Sequence, residues 1–319
     1  MTRFAPLPRP TTPDGAPRLT GVEIELGGLT EDRVATLLAE MLGGRAHPTE
    51  GRDWAVSDSR LGRIEIYLDT ALRKGRFRAL REAGLELGRD VIPVEIVTEP
   101  LDRAGLIALD DAREALRRAG ATGTRAGLFL GFGLHLNIQI ASETAADVVR
   151  PLMAYALIED WLRLTDPINE SRRILPFTDP YPHEFVRRLL ALGPATALAP
   201  VIDLYLRETP TRNRGLDMLP VFAHLAPERV AAALTEATSA RPAFHFRLPD
   251  CRIDEPGWSL DQEWRRWRCV ERVAADDAAL DALTIAWQED HGALTLFRSG
   301  WGVRAGEILR ARGLVDAPA

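Results

Sequence analysis

Four stretches of this chain alternate apolar and polar residues, which marks them as strands with chemically different faces. In Gly21–Leu26, Val22, Ile24 and Leu26 fall on one side and Glu23 and Glu25 on the other, because successive side chains of an extended chain point to opposite faces. Val94–Val97 sets Glu95 against Val94 and Ile96. Gly133–Ile140 alternates without a break, with Leu134, Leu136, Ile138 and Ile140 opposite His135, Asn137 and Gln139. Phe244–Leu248 puts His245 and Arg247 opposite three apolar side chains. Trp54–Ser57 and Arg63–Leu68 read as two further strands, joined by a short turn.

Helical spacing fills the intervals. Thr30 stands at the cap position of a helix with Glu31 and Asp32 in its first turn. Val34, Leu37, Leu38, Met41 and Leu42 form its apolar face, and Gly43-Gly44 ends it. A second helix, from Arg103 to Ala119, carries Leu106, Leu109, Ala112 and Leu116 on one side. Residues 74–88 fit either a short helix or a loop. From Ala145 to Thr238 the chain reads as helical, with breaks at Pro167, Pro176 to Pro182, Gly193-Pro194, Pro210 to Leu216 and Pro227. Ser259 and Gln262 form a capping box before another helix, and two more helices finish the chain. Strands separated by hairpins or helices, each with a half-polar face, predict an α+β fold. Its sheet is mostly antiparallel, with helices packed on one side and an open cleft on the other. A fully parallel sheet would need continuous apolar runs that are missing.

Composition narrows the class. The 319 residues, 46% hydrophobic and 27% charged, are those of a soluble globular chain long enough for a sizeable core. No apolar run reaches the length of a bilayer span. Met1–Arg18 holds five prolines without a signal-peptide core. It reads as a flexible arm of a cytoplasmic protein, followed by a single domain over residues 19–319 with a helical insertion at 145–238. The net charge of −6 argues against a general nucleic-acid binder. Lys74, the only lysine, is not in a phosphate loop, which excludes a Walker-type site and leaves phosphate contacts to arginines and backbone amides. Gly127, Gly131 and Gly133 miss the dinucleotide fingerprint. Cys251 and Cys269 read as reduced structural thiols.

The polar strand faces carry the chemistry. Two carboxylates side by side on an inner strand face are costly unless a cation pairs with them; an exposed edge strand is the alternative. Solvated faces carry Thr, Ser, Lys and mixed charges, whereas these carry Glu, His, Asn and Arg, which favours a working face. Glu65 reads as a partner of Arg63, and Glu99 as a solvated strand end. His183, His224 and His291 read as surface or helix-end residues. Trp258, Trp264, Trp267, Trp287 and Trp301 read as core packing between helices.

These segments, in this order, resemble the amidoligase family, a branch of the carboxylate–amine ligase superfamily that includes glutamine synthetase and glutamate–cysteine ligase. The matching pieces are Gly21–Leu26, Trp54 through Asp58-Ser59, Val94–Leu101, Gly133–Asn137, Arg212-Asn213-Arg214, and Phe246-Arg247 with the tryptophan-containing helix after it. The resemblance implies a fold like the glutamine synthetase catalytic domain, a curved sheet whose concave face binds ATP and Mg2+ or Mn2+. It also implies an ATP-dependent ligase that joins a carboxylate to an amine through an acyl phosphate. By position, Glu23, Glu25, Glu95, His135 and His245 then correspond to metal ligands. His135, Asn137, Ser59 and Arg247 fall on the nucleotide side, and Arg247, Arg212 and Arg214 are the phosphate clamps. Asp58 and Ser59 lie where the family places a polar substrate motif. One departure stands out: His245 occupies a position commonly held by a glutamate, and Asp250 or Glu263 is the alternative source of oxygen. The substrates implied are small-molecule or peptide carboxylates and amines, with a glutamine amidotransferase-like protein as a partner and neither nucleic acid nor membrane. A metal-dependent hydrolase and an inactive nucleotide-binding scaffold are the competing readings.

Overall fold

A computed structural model describes residues 2–49, 53–68, 93–124, 131–169, 178–234, 239–291 and 298–315. The segment 74–88 lies outside them. Among the described residues eight strands form one sheet: β1 (Thr20–Leu26), β2 (Arg45–Pro48), β3 (Trp54–Ser59), β4 (Gly62–Leu68), β5 (Val94–Thr98), β6 (Leu134–Gln139), β7 (Leu216–Asp217) and β8 (Ala243–Phe246). Their order is β2-β3-β4-β5-β1-β6-β8-β7, and every pairing is antiparallel. The fold is therefore α+β, with β1 in the interior of the sheet. β2 and β7 carry no readable alternation, being four and two residues long.

The apolar face of the sheet forms the core. Ile24, Leu26, Ile64, Ile66, Ile96, Leu134, Leu136, Ile138, Phe244 and Phe246 are all buried. Helix α1 (Glu31–Leu42) and helix α2 (Arg103–Arg118) bury the stripes their spacing predicts, Val34, Leu37, Leu38 and Leu42 in one and Leu106, Leu109, Ala112 and Leu116 in the other. Helix α3 (Ala145–Thr165) is buried on almost every side, as expected of a helix apolar all round. The chain continues through α4 (His183–Leu192), α5 (Leu198–Glu208), α6 (Leu219–Leu225), α7 (Pro227–Val230) and a 3-10 turn at Ala231–Ala233. It ends with α8 (Leu260–Ala275), α9 (Asp277–Asp290) and α10 (Arg298–Ala311). Trp267 of α8 lies against Phe244 and Phe246 at 5.1 and 5.6 Å, and Tyr155 of α3 meets Phe246 at 6.1 Å. Helices α3 and α8 thus cover the apolar side of the sheet at β8. Among the described residues no helix is long and apolar enough to cross a membrane.

Caps differ in detail from the sequence pattern. Gly43 ends α1 at φ 75°, a left-handed conformation that glycine adopts without steric cost. Thr30 contributes its carbonyl, not its hydroxyl, to the cap; the hydroxyl bonds Asp32 instead. Ser259 makes no side-chain cap bond, and Gln262 Nε2 donates to the Gly257 carbonyl at 2.8 Å. The tight 255–258 turn therefore replaces the expected capping box, since Gln262 turns toward it.

Residues 2–18, read above as an arm, lie against the body. Phe4 and Leu7 are buried, and Asp261 accepts the Phe4 amide. Arg18, at the entrance to β1, forms a fork with buried Glu271 of α8 at 2.7 and 2.8 Å. Trp267 Nε1 donates to the same carboxylate at 2.9 Å. Removing one partner of such a pair leaves a buried charge uncompensated and costs about 3–5 kcal/mol. Arg18→Ala should lower stability by that amount in urea unfolding, while Arg18→Met with Glu271→Leu should recover most of it. An Arg18→Ala loss below about 1 kcal/mol would show the pair to be solvated.

Candidate active site

Strand register assembles the polar face into one row of chemistry. Glu23 of β1 pairs with His135 of β6, Asn137 of β6 with His245 of β8, and His245 with Asp217 of β7. On the other flank Glu25 pairs with Glu95 of β5. Directly opposed residues share a face with Cβ atoms about 4.5–5.5 Å apart. Five strands therefore bring together Glu95, Glu25, Glu23, His135, Asn137, His245 and Asp217.

The face is enclosed, where an open cleft is expected. The Glu23 side chain is 13% exposed, and Glu25, Glu95, His135 and His245 are 3, 9, 6 and 2% exposed. Mutual hydrogen bonding makes this burial tolerable. His135 Nδ1 lies 2.9 Å from Glu23 Oε2. Asn137 Nδ2 donates to Glu23 Oε1 at 2.8 Å, and its Oδ1 lies 2.7 Å from His245 Nδ1. A carboxylate and an amide oxygen can only accept, so both imidazoles carry their proton on Nδ1. Nε2 is then the nitrogen left to face a metal in each. One ligand atom from each of Glu23, His135 and His245 lies within 4.8 Å of the others, close enough for the three to converge on one ion.

Electrostatics shifts two members of this cluster. Burial would raise the pKa of Glu23, but the His135 hydrogen bond and the charges of His245, His135 and Arg241 hold it well below the usual carboxylate range. Burial drives His245 well below the usual histidine value, helped by His135, Arg247 and Arg241, while Glu23 opposes it. An ionised carboxylate beside a neutral imidazole suits metal ligation. Arg241 reaches Glu23 at 3.4 Å. It was missed in the sequence, although stepping back by twos from Arg247 and His245 leads to it.

Arg247 and Arg212 meet at the β7 edge. Arg247 donates to the Arg212 carbonyl at 2.8 Å, and Arg212 Nε lies 3.5 Å from the Asp217 carboxylate. Asp217, fully buried, was not anticipated, since a two-residue strand leaves no periodic signal. Glu25 accepts the Gly133 amide at 2.7 Å. Arg214 serves the loop scaffold, donating to Thr209 at 2.6 Å and to the Pro180 carbonyl at 2.7 Å. Asp58 lies at the β3–β4 turn with Arg45 at 2.7 Å, and Ser59 donates to the Gly62 carbonyl there at 2.7 Å. Two strands, β4 and β5, separate them from β1, so they stand apart from the row. Asp250 accepts the Asn169 amide. Glu263 is tied to Trp258 and Arg266 in the helical layer, so it supplies no oxygen to this face. Glu65 pairs with Arg63 at 3.2 Å, Glu99 accepts the Arg63 amide, and the five tryptophans pack in the core.

Burial lifts the Asp217 pKa from 3.8 to about 6 against the pull of Arg247, the Leu219 amide and Arg212. The folded value exceeds the unfolded one, so its contribution to stability is full below pH 4 and is lost as pH rises through 6. A rise of about two units corresponds to about 3 kcal/mol. Asp217→Asn should remove that slope between pH 4 and 6 in denaturant titrations. A variant with the wild-type slope would show that Asp217 is not its source.

A model of the family described as putative amidoligase enzymes matches residues 16–269, a span that contains every residue of the row. No curated protein and no solved structure matches the chain. With four fifths of its length under one family model, and the site inside that span, the chain belongs to the amidoligase family.

Proposed function

We propose that the enclosed polar face is the catalytic centre of an ATP-dependent carboxylate–amine ligase that makes an amide through an acyl phosphate. The observation that carries this reading is the register that sets Glu23, Glu25, Glu95, His135 and His245 from four strands on one face, with ligand atoms of Glu23, His135 and His245 within 4.8 Å of one another and Arg247 and Arg212 at one end. The donor sets fit two kinds of cation. Glu25 and Glu95 offer only oxygen, which suits Mg2+, whereas Glu23 with two imidazoles suits Mn2+ or Zn2+ better. Bound cations would supply charge neutralisation for the phosphates of ATP. Glu23, fixed by His135 and Asn137, orients both imidazoles. Arg247 and Arg212 provide positive charge where a transferred phosphoryl group needs it. Burial keeps water from an activated carboxylate. On this reading the sheet is the glutamine synthetase-like scaffold, and the acid and amine are small molecules or peptides, with an amidotransferase-like protein as the source of nitrogen.

A second reading rests on one observation. Two histidines and one glutamate are also the ligand set of hydrolytic zinc sites, so a metal-dependent hydrolase would use the same cluster without nucleotide.

The test is phosphate and ADP release with ATP, Mg2+ or Mn2+ and a panel of carboxylates and amines. Turnover should need ATP, and Glu23→Ala should lower kcat/KM by about 10^3-fold, while Glu65→Gln leaves it unchanged. Loss of a panel compound that persists without ATP, followed by chromatography, would support the hydrolase instead. Glu95→Gln should raise the Mg2+ concentration for half-maximal rate by about 10–100-fold. An unchanged Mg2+ requirement would remove the Glu25–Glu95 pair from the metal scheme.

A further inference from the structure

We propose a second metal site, in the helical layer, where Asp160 of α3, His183 at the start of α4 and His291 just after α9 bind a divalent ion of the zinc class. One ligand atom from each lies within 4.8 Å of the others, although 131 residues separate the first from the last. His183 and His291 stand at helix ends, as their sequence positions suggest, but nothing in the sequence links them to each other or to Asp160; His224 pairs with Glu143 at 2.9 Å on the surface. The sheet cluster lies within the family-matched span, whereas this one requires His291, beyond residue 269. It is a feature that family membership does not imply.

The surroundings are those of a prepared ligand set. His291 stacks on Trp287 with ring centroids 4.1 Å apart and planes at 8°. His183 meets it edge-on at 4.6 Å, and Trp301 closes a further side at 5.9 Å. His291 Nδ1 lies 3.1 Å from the Trp287 carbonyl and 3.7 Å from Asp290 Oδ2. A carbonyl can only accept, so Nδ1 carries a proton and Nε2 is the nitrogen left for a metal. An imidazole anchored by a backbone carbonyl in this way is the usual outer support of a metal-bound histidine. Nε2 of both histidines is buried, so the ion would sit among indole rings, in a medium that strengthens its attraction to the Asp160 carboxylate.

Helix packing positions the carboxylate. Trp301 Nε1 donates to the Leu157 carbonyl at 2.8 Å, and a Cβ at Gly302 would come within 2.9 Å of the Asp160 carbonyl. Gly306, one turn on, would bring a Cβ to 2.6 Å from Trp161. Two glycines four residues apart thus let α10 seat directly on the turn of α3 that bears Asp160. Zinc bonds of about 2.0–2.2 Å place tetrahedral ligands roughly 3.4 Å apart. The ligand atoms lie within 4.8 Å of one another, and rotation of the half-buried Asp160 and His183 side chains would bring them to the tetrahedral spacing. Two imidazoles and one carboxylate select a borderline ion such as Zn2+ over Mg2+, and three protein ligands leave the fourth position to water. The ion would tie α3, α4 and α9 together.

The probe is Zn2+ added to the full-length protein with 15N-labelled histidine. The ring resonances of His183 and His291 should shift on binding, in wild type and equally in Glu23→Gln, whose substitution falls in the sheet cluster. His183→Gln, or Asp160→Asn if the first variant does not fold, should weaken this site at least 100-fold and lower the Zn2+ stoichiometry by one. Unshifted His183 and His291 resonances, or an unchanged stoichiometry in either folded variant, would overturn the proposal. Neither result depends on whether the sheet carries ligase chemistry.

Discussion

The arrangement of the polar face depends on one buried carboxylate. Glu23 sits on a strand inside the sheet and satisfies His135 with one oxygen and Asn137 with the other. Asn137 in turn orients His245. Because β1, β6 and β8 are adjacent and antiparallel, this chain of bonds also locks their register. A slip of one residue would turn Glu23, His135 and His245 onto the apolar face, where each would be buried without partners. The interaction that prepares the site is thus the one that makes a misregistered sheet costly.

Much of this was legible before any coordinates. Period-two alternation sorted Glu23, Glu25, Glu95, His135, Asn137 and His245 onto one face, because each lies in a strand long enough to show its period. Helical spacing located α1 and α2 for the same reason. The register itself was not legible: nothing in Gly21–Leu26 says that Glu25 faces Glu95 and Glu23 faces His135. Nor was the degree of burial, which depends on the surrounding chain. Asp217 escaped because two residues have no period. Asp58, Ser59 and Arg214 were singled out by motif position, which fixes order along the chain but not which strands stand between. The capping box failed because Ser259 and Gln262 have a competing partner in the Gly257 turn, a contest a four-residue pattern does not encode.

The two histidine clusters show why side-chain spacing is readable in strands and opaque in helical layers. His135 and His245 come from adjacent strands, and their shared face follows from the parity of their positions. His183 and His291 stand at the ends of two helices whose approach is set by packing against α3. Their meeting depends on Trp287, Trp301 and the glycines of α10, none of which carries a signal pointing to a histidine. Ligand sets assembled by ridges and grooves leave no trace in local periodicity.

Burial of the sheet site bears on its chemistry. An open cleft would leave Glu23 and its neighbours in water, where opposed charges attract weakly and an imidazole keeps its ordinary proton affinity. Enclosure does the reverse: burial pushes the His245 pKa down and the Asp217 pKa up to about 6, while the hydrogen bond from His135 and the pull of Arg241 help to keep Glu23 low despite its desolvation. Three groups on one face are thus driven to different states by the same low-dielectric surroundings. The fold also keeps Glu25 and Glu95 side by side, an arrangement that is costly when buried unless hydrogen bonds, such as the one Glu25 accepts from the Gly133 amide, offset it.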